Sequence, residues 1–215
     1  SMLKHCEQSV HKALPIWSHM ANENWCMIGY HSVSVLADAV AKGLPLDKEE
    51  VLKAMVSSST IPYLDGTGEY MEKGYVALDH NGSAASLTLE YAYDDWTIYH
   101  TALLAGNRSV ADTYKKRAAN YTNVFDTNMG YARPRYADGR WKENFNLLNT
   151  HGEGFIEGNA LNYSFYVPQD VDNMIRLMGG DKSFCSKLDS LFTMHLPAEF
   201  FAQTEDVTEE GLLGG

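Results

Sequence analysis

Residues 83–124 read SAASLTLEYAYDDWTIYHTALLAGNRSVADTYKKRAANYTNV and contain the clearest helical pattern in the chain. Apolar residues recur there at helical spacing, which predicts a long helix over 83–104 and a partner helix over 109–124. Gly106 and Asn107 end the first helix and leave room for only a short turn. Two helices joined in this way form an antiparallel hairpin.

Similar helix pairs are predicted on both sides of this hairpin. Hydrophobic spacing predicts helices over 27–42, 47–58, 167–177 and 181–192, joined in pairs by short turns. Longer irregular stretches at 61–81 and 128–156 separate the pairs, and residues 130–141 predict a β-hairpin that turns at Asp138 and Gly139. We therefore predict an all-α fold, an (α/α) toroid of helical hairpins that is incomplete and carries a small β-hairpin.

The composition restricts the classes of partner. The formal net charge of −11 argues against nucleic acid, because a phosphate backbone is bound by clustered Lys and Arg. No apolar run approaches the roughly 18 residues that a membrane-spanning helix needs. An acidic chain is compatible with a hard cation such as Ca²⁺, although the composition does not require one.

The segment 151–170, HGEGFIEGNALNYSFYVPQD, combines carboxylates, amides and aromatic rings with few aliphatic residues. Buried carboxylates and amides are costly unless they are paired, so this is not the pattern of a core element. One interpretation is a carbohydrate site, in which rings cover the sugar faces while carboxylates and amides bind its hydroxyls. The other is a polar loop that caps a helix beginning near Val167, with Pro168 in its first turn.

A second group of acidic residues lies inside the long predicted helix. Glu90 and Asp94 are one turn apart on the same face, and Asp95 lies beside them. Like charges at this spacing repel, so a cation, an arginine or substrate hydroxyls must offset them. The group is therefore interpreted either as a salt-bridged face or as part of a substrate pocket.

Polar residues also precede the first clear helix. Asn22 and Glu23, with Asn24 near the N-cap, either cap that helix or bind sugar hydroxyls. His31 is expected to be a partly buried histidine with satisfied hydrogen bonds. The sequence has neither an HExxH nor a P-loop nor a GxSxG motif, so it gives no local support to a zinc protease, a nucleotide-binding protein or a serine hydrolase.

Five ordered motifs resemble glycoside hydrolase family 92, the calcium-dependent α-mannosidases, which are mostly bacterial. The resemblance runs from about residue 17 to 192. The motifs are CMIGYH at 26–31, TLEYAYDDW at 88–96, Arg133-Pro134 before Asp138-Gly139, EGNA at 157–160, and Tyr166-Val-Pro168 with Asp170.

The resemblance implies an N-terminal β-sandwich followed by an (α/α)6 catalytic domain that removes terminal α-linked mannose with inversion. Residues 1–215 would then be part of the helical domain, and the sandwich and the downstream part of the toroid would lie outside them. The implied partners are a mannose-containing oligosaccharide and the remainder of the polypeptide. The implied location is periplasmic, cell-surface or secreted.

The resemblance also assigns roles to residues of this chain. Glu157 matches the glutamate of the EGNA motif and is expected to be the general acid, with Glu153 as a competing candidate. The other expected site residues line or support the pocket and are Asn22, Glu23, Glu90, Asp94, Asp95, Asn159 and Tyr163. The implied Ca²⁺ would draw most ligands from downstream of the chain, with Asn162 as one candidate ligand here.

Three positions in and after the EGNA segment depart from the family pattern, and Ala21 and Trp25 differ from the usual Gly and Asn near the start of the chain. Leu161, Asn162 and Gln169 stand where members usually have Trp, Gln and His. Replacing an indole removes stacking surface, and Asn reaches about one bond less far than Gln. The departures at Leu161 and Gln169, together with the general base expected downstream of the chain, favour the alternative that the chain is a non-catalytic helical module that binds glycan or a protein partner.

Overall fold

A computed structural model of the protein describes residues 1–19, 22–23, 26–148 and 152–195, with only the backbone of 18, 19, 22 and 23. The helices in these ranges are α1 Met2–Gln8, α2 Ser32–Ala41, α3 Lys48–Ser58, α4 Thr67–Lys73, α5 Ala84–Leu104, α6 Arg108–Arg117, α7 Ala160–Tyr163, α8 Val171–Leu177 and α9 Asp181–Thr193, with a 3₁₀ helix at Asn120–Val124. The strands form two antiparallel pairs, β1 Ser18–His19 with β2 Asn22–Glu23 and β3 Phe125–Asp126 with β4 Tyr131–Ala132.

Helices with strong local end signals lie close to where the sequence predicts them. The side chain of Asp47 caps α3 by accepting hydrogen bonds from the backbone N–H groups of Glu49 and Glu50. Helix α5 runs to Leu104 as predicted, and Gly106 follows it with φ +74°. Helix α9 begins at the predicted Asp181 and ends one residue beyond the predicted end.

Two predicted helix starts are wrong because tertiary contacts replace the first turn. Helix α2 begins at Ser32 rather than at residue 27: Gly29 has φ +80°, and the Tyr30 N–H donates to Asp94 Oδ2 across 2.9 Å. Helix α8 begins at Val171 rather than at 167. Its N-cap residue Asp170 accepts a hydrogen bond from the hydroxyl of Tyr121 at 2.7 Å.

The other differences also concern irregular segments. The helix predicted over 109–124 divides into α6 and the 3₁₀ helix, and α1 and α4 lie where no helix was predicted. The hairpin predicted over 130–141 is reduced to one β-bridge between Arg135 and Trp141, with Asp138 and Gly139 in the turn between them. The strand pair in this region is β3–β4, in which β3 lies upstream of the predicted hairpin and β4 lies at its beginning.

Helix α5 occupies the centre of the described structure and separates two hydrophobic clusters. One cluster joins α5 to α2 and α3 through residues such as Val33, Met55 and Tyr91. The other joins α5 to the 3₁₀ helix, α8 and the loop before α7 through Leu89 and Phe155. Burial on both sides explains why the sequence of α5 is apolar around most of its circumference.

Candidate functional site

The candidate site lies where the start of α2, the middle of α5 and α7 come together. Helix α5 places Glu90 and Asp94 one turn apart, and His31 lies between them. Nε2 of His31 is 2.7 Å from Glu90 Oε2, and Nδ1 is 2.8 Å from Asp94 Oδ1. The group that offsets the two carboxylates is therefore a histidine.

The two carboxylates determine the protonation state of this histidine. Burial alone would lower the pKa of His31, but hydrogen bonds and charge attraction from Asp94 and Glu90 outweigh it and raise that pKa to about 10. His31 is therefore an imidazolium at neutral pH, and both ring nitrogens donate. Burial raises the pKa of Asp94, while His31 opposes that rise.

Glu90 also accepts a hydrogen bond from α7. The hydroxyl of Tyr163 donates to Glu90 Oε1 at 2.8 Å. Burial, and next the charge of Glu90, hold the pKa values of Tyr163 and Tyr166 well above the ordinary value. Both phenols are therefore neutral, and Glu90 is held by the side chains of His31 and Tyr163.

Asp95 faces the opposite side of α5. It is fully buried and accepts hydrogen bonds from Arg117 Nε at 2.8 Å, Tyr30 OH at 2.8 Å and Tyr70 OH at 2.9 Å. These partners belong to α6, to the segment before α2 and to α4. Asp95 thus supports the packing of helices and does not line the cleft beside Glu90.

The backbone presents Glu157 in an unusual conformation. Its φ is +51°, in the left-handed region that a residue with a Cβ adopts at a cost. Its side chain is exposed and has no hydrogen-bond or ion-pair partner among the described residues. The adjacent Gly158 leaves no space for a side chain, because a Cβ there would lie 2.9 Å from Asn162 Oδ1 and 3.0 Å from the Tyr163 ring.

The loop that carries Glu157 is attached to the first turn of α5. The Ala85 N–H donates to the carbonyl of Gly154 at 2.9 Å, and the Ile156 N–H donates to Ser86 Oγ at 3.2 Å. The loop therefore has a fixed position relative to the helix that carries Glu90. A carboxylate that is both strained and unpaired is typical of a functional position.

Asn159 and Asn162 form the cap of α7. Asn159 Oδ1 accepts from the Leu161 N–H at 3.0 Å, and the Asn159 N–H donates to Asn162 Oδ1 at 2.9 Å. This reciprocal arrangement is a capping box, and it orders the turn that follows Glu157. Asn at position 162 is therefore long enough for the local structural role.

The competing glutamate has a partner. Glu153 forms an ion pair with Lys142, which compensates its charge. Glu157, by contrast, has no ion-pair partner among the described residues. Asn22 and Glu23 lie in β2, and their side chains are outside the described part of the structure.

Aromatic rings form a surface next to these polar groups. The rings of Tyr163 and Tyr166 are 6.3 Å apart at 66°, and Tyr93 lies 5.9 Å from Tyr166. Trp96 continues this row by stacking on Tyr93. The sequence assigns no site role to Tyr166 or His31. They lie 76 and 59 positions from Glu90 in the chain, so no local pattern connects them to it. The i,i+4 spacing of Glu90 and Asp94 was the one signal that a partner exists.

Two kinds of feature are absent from the described residues. No group of three or more His, Cys, Asp or Glu side chains in those ranges is arranged to hold a metal ion. Among the described helices, none combines the length and the apolar composition needed to cross a membrane.

Comparison with solved structures shows a close likeness to α-mannosidases. A family GH92 α-mannosidase from Bacteroides thetaiotaomicron is 41% identical over 92% of this chain, with a TM-score of 0.87, and the match spans 26% of that protein. Its complex with mannoimidazole matches with a TM-score of 0.88. A GH92 inverting mannosidase from B. thetaiotaomicron VPI-5482 is 29% identical over 100% of this chain and 30% of its own, with a TM-score of 0.85.

Sequence comparison agrees with the structural likeness. An uncharacterized secreted glycosidase of Arthroderma benhamiae is 26% identical over 202 residues, covering 76% of this chain and 26% of that protein. The chain thus spans about a quarter to a third of the relatives it matches, and its helices correspond to part of their (α/α) toroid. Residues 1–211 match the model of the glycosyl hydrolase family 92 catalytic domain. The chain therefore belongs to glycosyl hydrolase family 92.

Proposed function

We propose that the chain is part of the catalytic domain of an inverting exo-α-mannosidase, which hydrolyses terminal α-linked mannose in mannosides and N-glycans. Its relatives include solved α-mannosidases, one of them in complex with mannoimidazole. The observation that carries the proposal is the conformation of Glu157, a left-handed residue whose exposed carboxylate has no partner among the described residues. The loop that holds it is fixed to α5, next to the cluster around Glu90.

In this reaction Glu157 is the general acid. It donates a proton to the glycosidic oxygen while the bond between that oxygen and the anomeric carbon breaks. A water molecule attacks the opposite face of the sugar and forms the new bond. A base about 6.5–9.5 Å from the acid takes the proton of that water. We place this base, an aspartate by resemblance, outside the described residues.

Several described side chains are proposed to bind the sugar. Tyr163, Tyr166 and Asn159 surround the turn after Glu157, and the tyrosine rings supply apolar surface for a sugar face. Glu90 and Asp94 support this surface from α5, and Asp95 supports it indirectly through the helix packing. Asn22 and Glu23 are retained as proposed contacts.

Calcium dependence is part of the proposal. Ca²⁺ takes about six to eight oxygen ligands, and it can bind sugar hydroxyls and orient the ring. The described residues do not form such a site by themselves: His31 already compensates Glu90 and Asp94, and Asn162 offers a single amide oxygen. The remaining ligands would have to come from outside the described ranges.

The proposal extends to the rest of the protein. Residues 1–215 would be combined with a β-sandwich and with the other helices of the toroid. We further propose that the protein is bacterial and that it is periplasmic, surface-anchored or secreted. The secreted A. benhamiae relative supports the location outside the cytoplasm.

A second candidate function is glycan binding without catalysis. Leu161 and Gln169 replace the usual Trp and His, and both polar atoms of the Gln169 side chain are buried without a hydrogen-bond partner in the described part of the chain. A pocket altered in this way could retain affinity after losing turnover. This candidate predicts that Glu157→Gln leaves the affinity for mannosides nearly unchanged. It also predicts that the unchanged protein does not hydrolyse them.

Proton NMR of α-1,2-mannobiose distinguishes the two functions. The full-length protein is incubated with the disaccharide, first with Ca²⁺ and then with a chelator. Early appearance of β-mannose that chelation abolishes is the expected result. Early α-mannose would refute inversion, and the absence of turnover by a folded full-length protein would favour glycan binding.

A further inference from the structure

We propose that His31 is a positioning residue for Glu157, which it reaches through Glu90 and Tyr163. The inference rests on the proposed function in one respect only, namely that Glu157 is the acid. His31 itself does not touch the reacting atoms. Its expected effect is on the position of the segment that carries Glu157.

The first step of the argument is that His31 holds Glu90 in place. The carboxylate of Glu90 is almost completely buried, and a buried carboxylate is stable only when it is paired. The short contact to Nε2 of His31 provides the only full positive charge within ion-pair distance of it in the described structure. Removing the imidazolium would leave Glu90 with the hydrogen bond from the Tyr163 hydroxyl in the described structure.

The second step is that His31 is itself fixed. Its Nδ1 binds Asp94 Oδ1 at 2.8 Å, and the other oxygen of Asp94 accepts from the Tyr30 N–H at 2.9 Å. Asp94 therefore binds both the side chain of His31 and the backbone just before it, which fixes the position of the imidazole. Gly29 is part of this arrangement, since a Cβ on it would lie 2.6 Å from His31 Nε2.

The third step connects Glu90 to the acid. Tyr163 donates to Glu90 Oε1 at 2.8 Å, and its ring packs directly on Gly158. Gly158 follows Glu157 in the chain, and the Tyr163 N–H also donates to the carbonyl of Asn159 at 2.9 Å. A shift of Glu90 would therefore move Tyr163 and, with it, the turn that contains Glu157.

The chain contains a matched control histidine. His80 Nδ1 also binds a carboxylate, Glu69 Oε1, at 3.0 Å. Glu69 belongs to α4 and additionally accepts from the Ala77 N–H and from Lys73. No hydrogen bond or ion pair among the described residues links this pair to α7, so His80→Leu removes a histidine–carboxylate pair without affecting the proposed connection.

The test measures hydrogen exchange and turnover in the full-length protein. His31→Leu and Tyr163→Phe are expected to accelerate amide exchange within 158–164 by about five- to tenfold, the factor that corresponds to one lost hydrogen bond. Exchange in α3 is expected to stay unchanged, and so is exchange within 158–164 in His80→Leu. His31→Leu and Tyr163→Phe should each lower kcat by about tenfold or more with little change in KM, because the acid is displaced.

The outcomes separate this inference from the proposed function. If the wild-type protein hydrolyses no α-mannoside, the proposed function fails and hydrogen exchange alone decides the role of His31. Unchanged exchange in 158–164 in both variants would overturn the inference, as would equal acceleration in His80→Leu. Tyr163→Phe removes a single hydroxyl, so it keeps the test decisive if His31→Leu does not fold.

Discussion

Among single residues, Glu157 combines a strained backbone conformation with the proposed role of general acid. A left-handed conformation costs about 1–2 kcal/mol for a residue with a Cβ, and φ is +51° here. The EGNA motif predicts the importance of this glutamate, but it does not predict the backbone conformation. Gly or Asn would be the usual choice at such a position, so the presence of Glu indicates a requirement for its carboxylate.

Replacing this glutamate by glycine should therefore stabilise the protein. We expect Glu157→Gly to raise the free energy of unfolding by about 0.5–1 kcal/mol, since relief of strain exceeds the entropic cost of glycine. Urea unfolding measures this change. Glu143→Gly is the control, because Glu143 is exposed and lacks a positive φ. If both variants lose stability equally, Glu157 is not strained.

The protonation of His31 predicts a pH dependence of stability. Its pKa is about 10 in the folded protein against 6.5 for an unperturbed histidine. Between these values the folded state keeps a proton that the unfolded state releases, so this stabilising contribution is fully present below pH 6.5 and is lost as pH rises through about 10. We expect urea unfolding to show a loss of stability across this window that is smaller in His31→Leu. Parallel pH profiles for the two proteins would contradict this assignment.

The pairing of His31 is also the part of the site that the sequence does not predict. Spacing places Glu90 and Asp94 on one helix face and shows that their charges must be offset. It does not show which group offsets them, because His31 lies 59 positions from Glu90. Contacts of this kind depend on the tertiary fold, whereas the EGNA turn is encoded locally.

Among the helices and strands, the predicted boundaries are correct where the chain has local signals. Asp47 caps α3, and a glycine follows α5. The predicted boundaries are wrong where a distant side chain forms a hydrogen bond with the backbone or with the capping residue, as Asp94 does before α2 and Tyr121 does before α8. Hydrophobic periodicity alone cannot detect such competition.

The helices around α5 are joined by a buried ion pair. Arg117 Nε binds Asp95 at 2.8 Å, and Nη2 donates to Tyr30 OH and to the Ser59 carbonyl, both at 3.1 Å. We expect Arg117→Met to destabilise the protein by about 3–5 kcal/mol, because Asp95 would remain buried without its cation. Thermal or urea unfolding provides the measurement.

Exposed ion pairs provide the comparison for this prediction. Arg140 bonds Asp138 and Glu143 at the surface, so Arg140→Met should change stability by less than about 1 kcal/mol. A double variant, Arg117→Met with Asp95→Leu, should recover part of the loss, since the unpaired charge is gone. Equal effects of the two single arginine variants would show that the buried pair has no special role.

In the whole molecule, the helical hairpins predicted from the sequence agree with the fold, while the extent of the domain stays a prediction. A groove of about 480 Å³ between α2 and α5 is lined by apolar and aromatic side chains that include Trp96 and Leu104. Phe192 on α9 is 81% exposed. In a toroid, faces of this kind pack against neighbouring helices.

These faces predict the behaviour of residues 1–215 expressed alone. Exposed apolar surface of this kind promotes association, so we expect sedimentation velocity to show self-associated species. Leu103→Glu, on an exposed position at the edge of the α2–α5 groove, should reduce association. A sharp monomer peak for the unchanged chain, together with a cooperative melt, would contradict this prediction.

The most direct test of the central claim compares two substrates in the Glu157→Gln variant of the full-length protein. A general acid contributes about 10²–10⁴-fold when the leaving group needs a proton. The variant should therefore lose that factor in kcat/KM on α-1,2-mannobiose and keep most of its activity on a dinitrophenyl α-mannoside, whose leaving group needs none. Equal losses on both substrates, or no loss on the disaccharide, would show that Glu157 is not the acid.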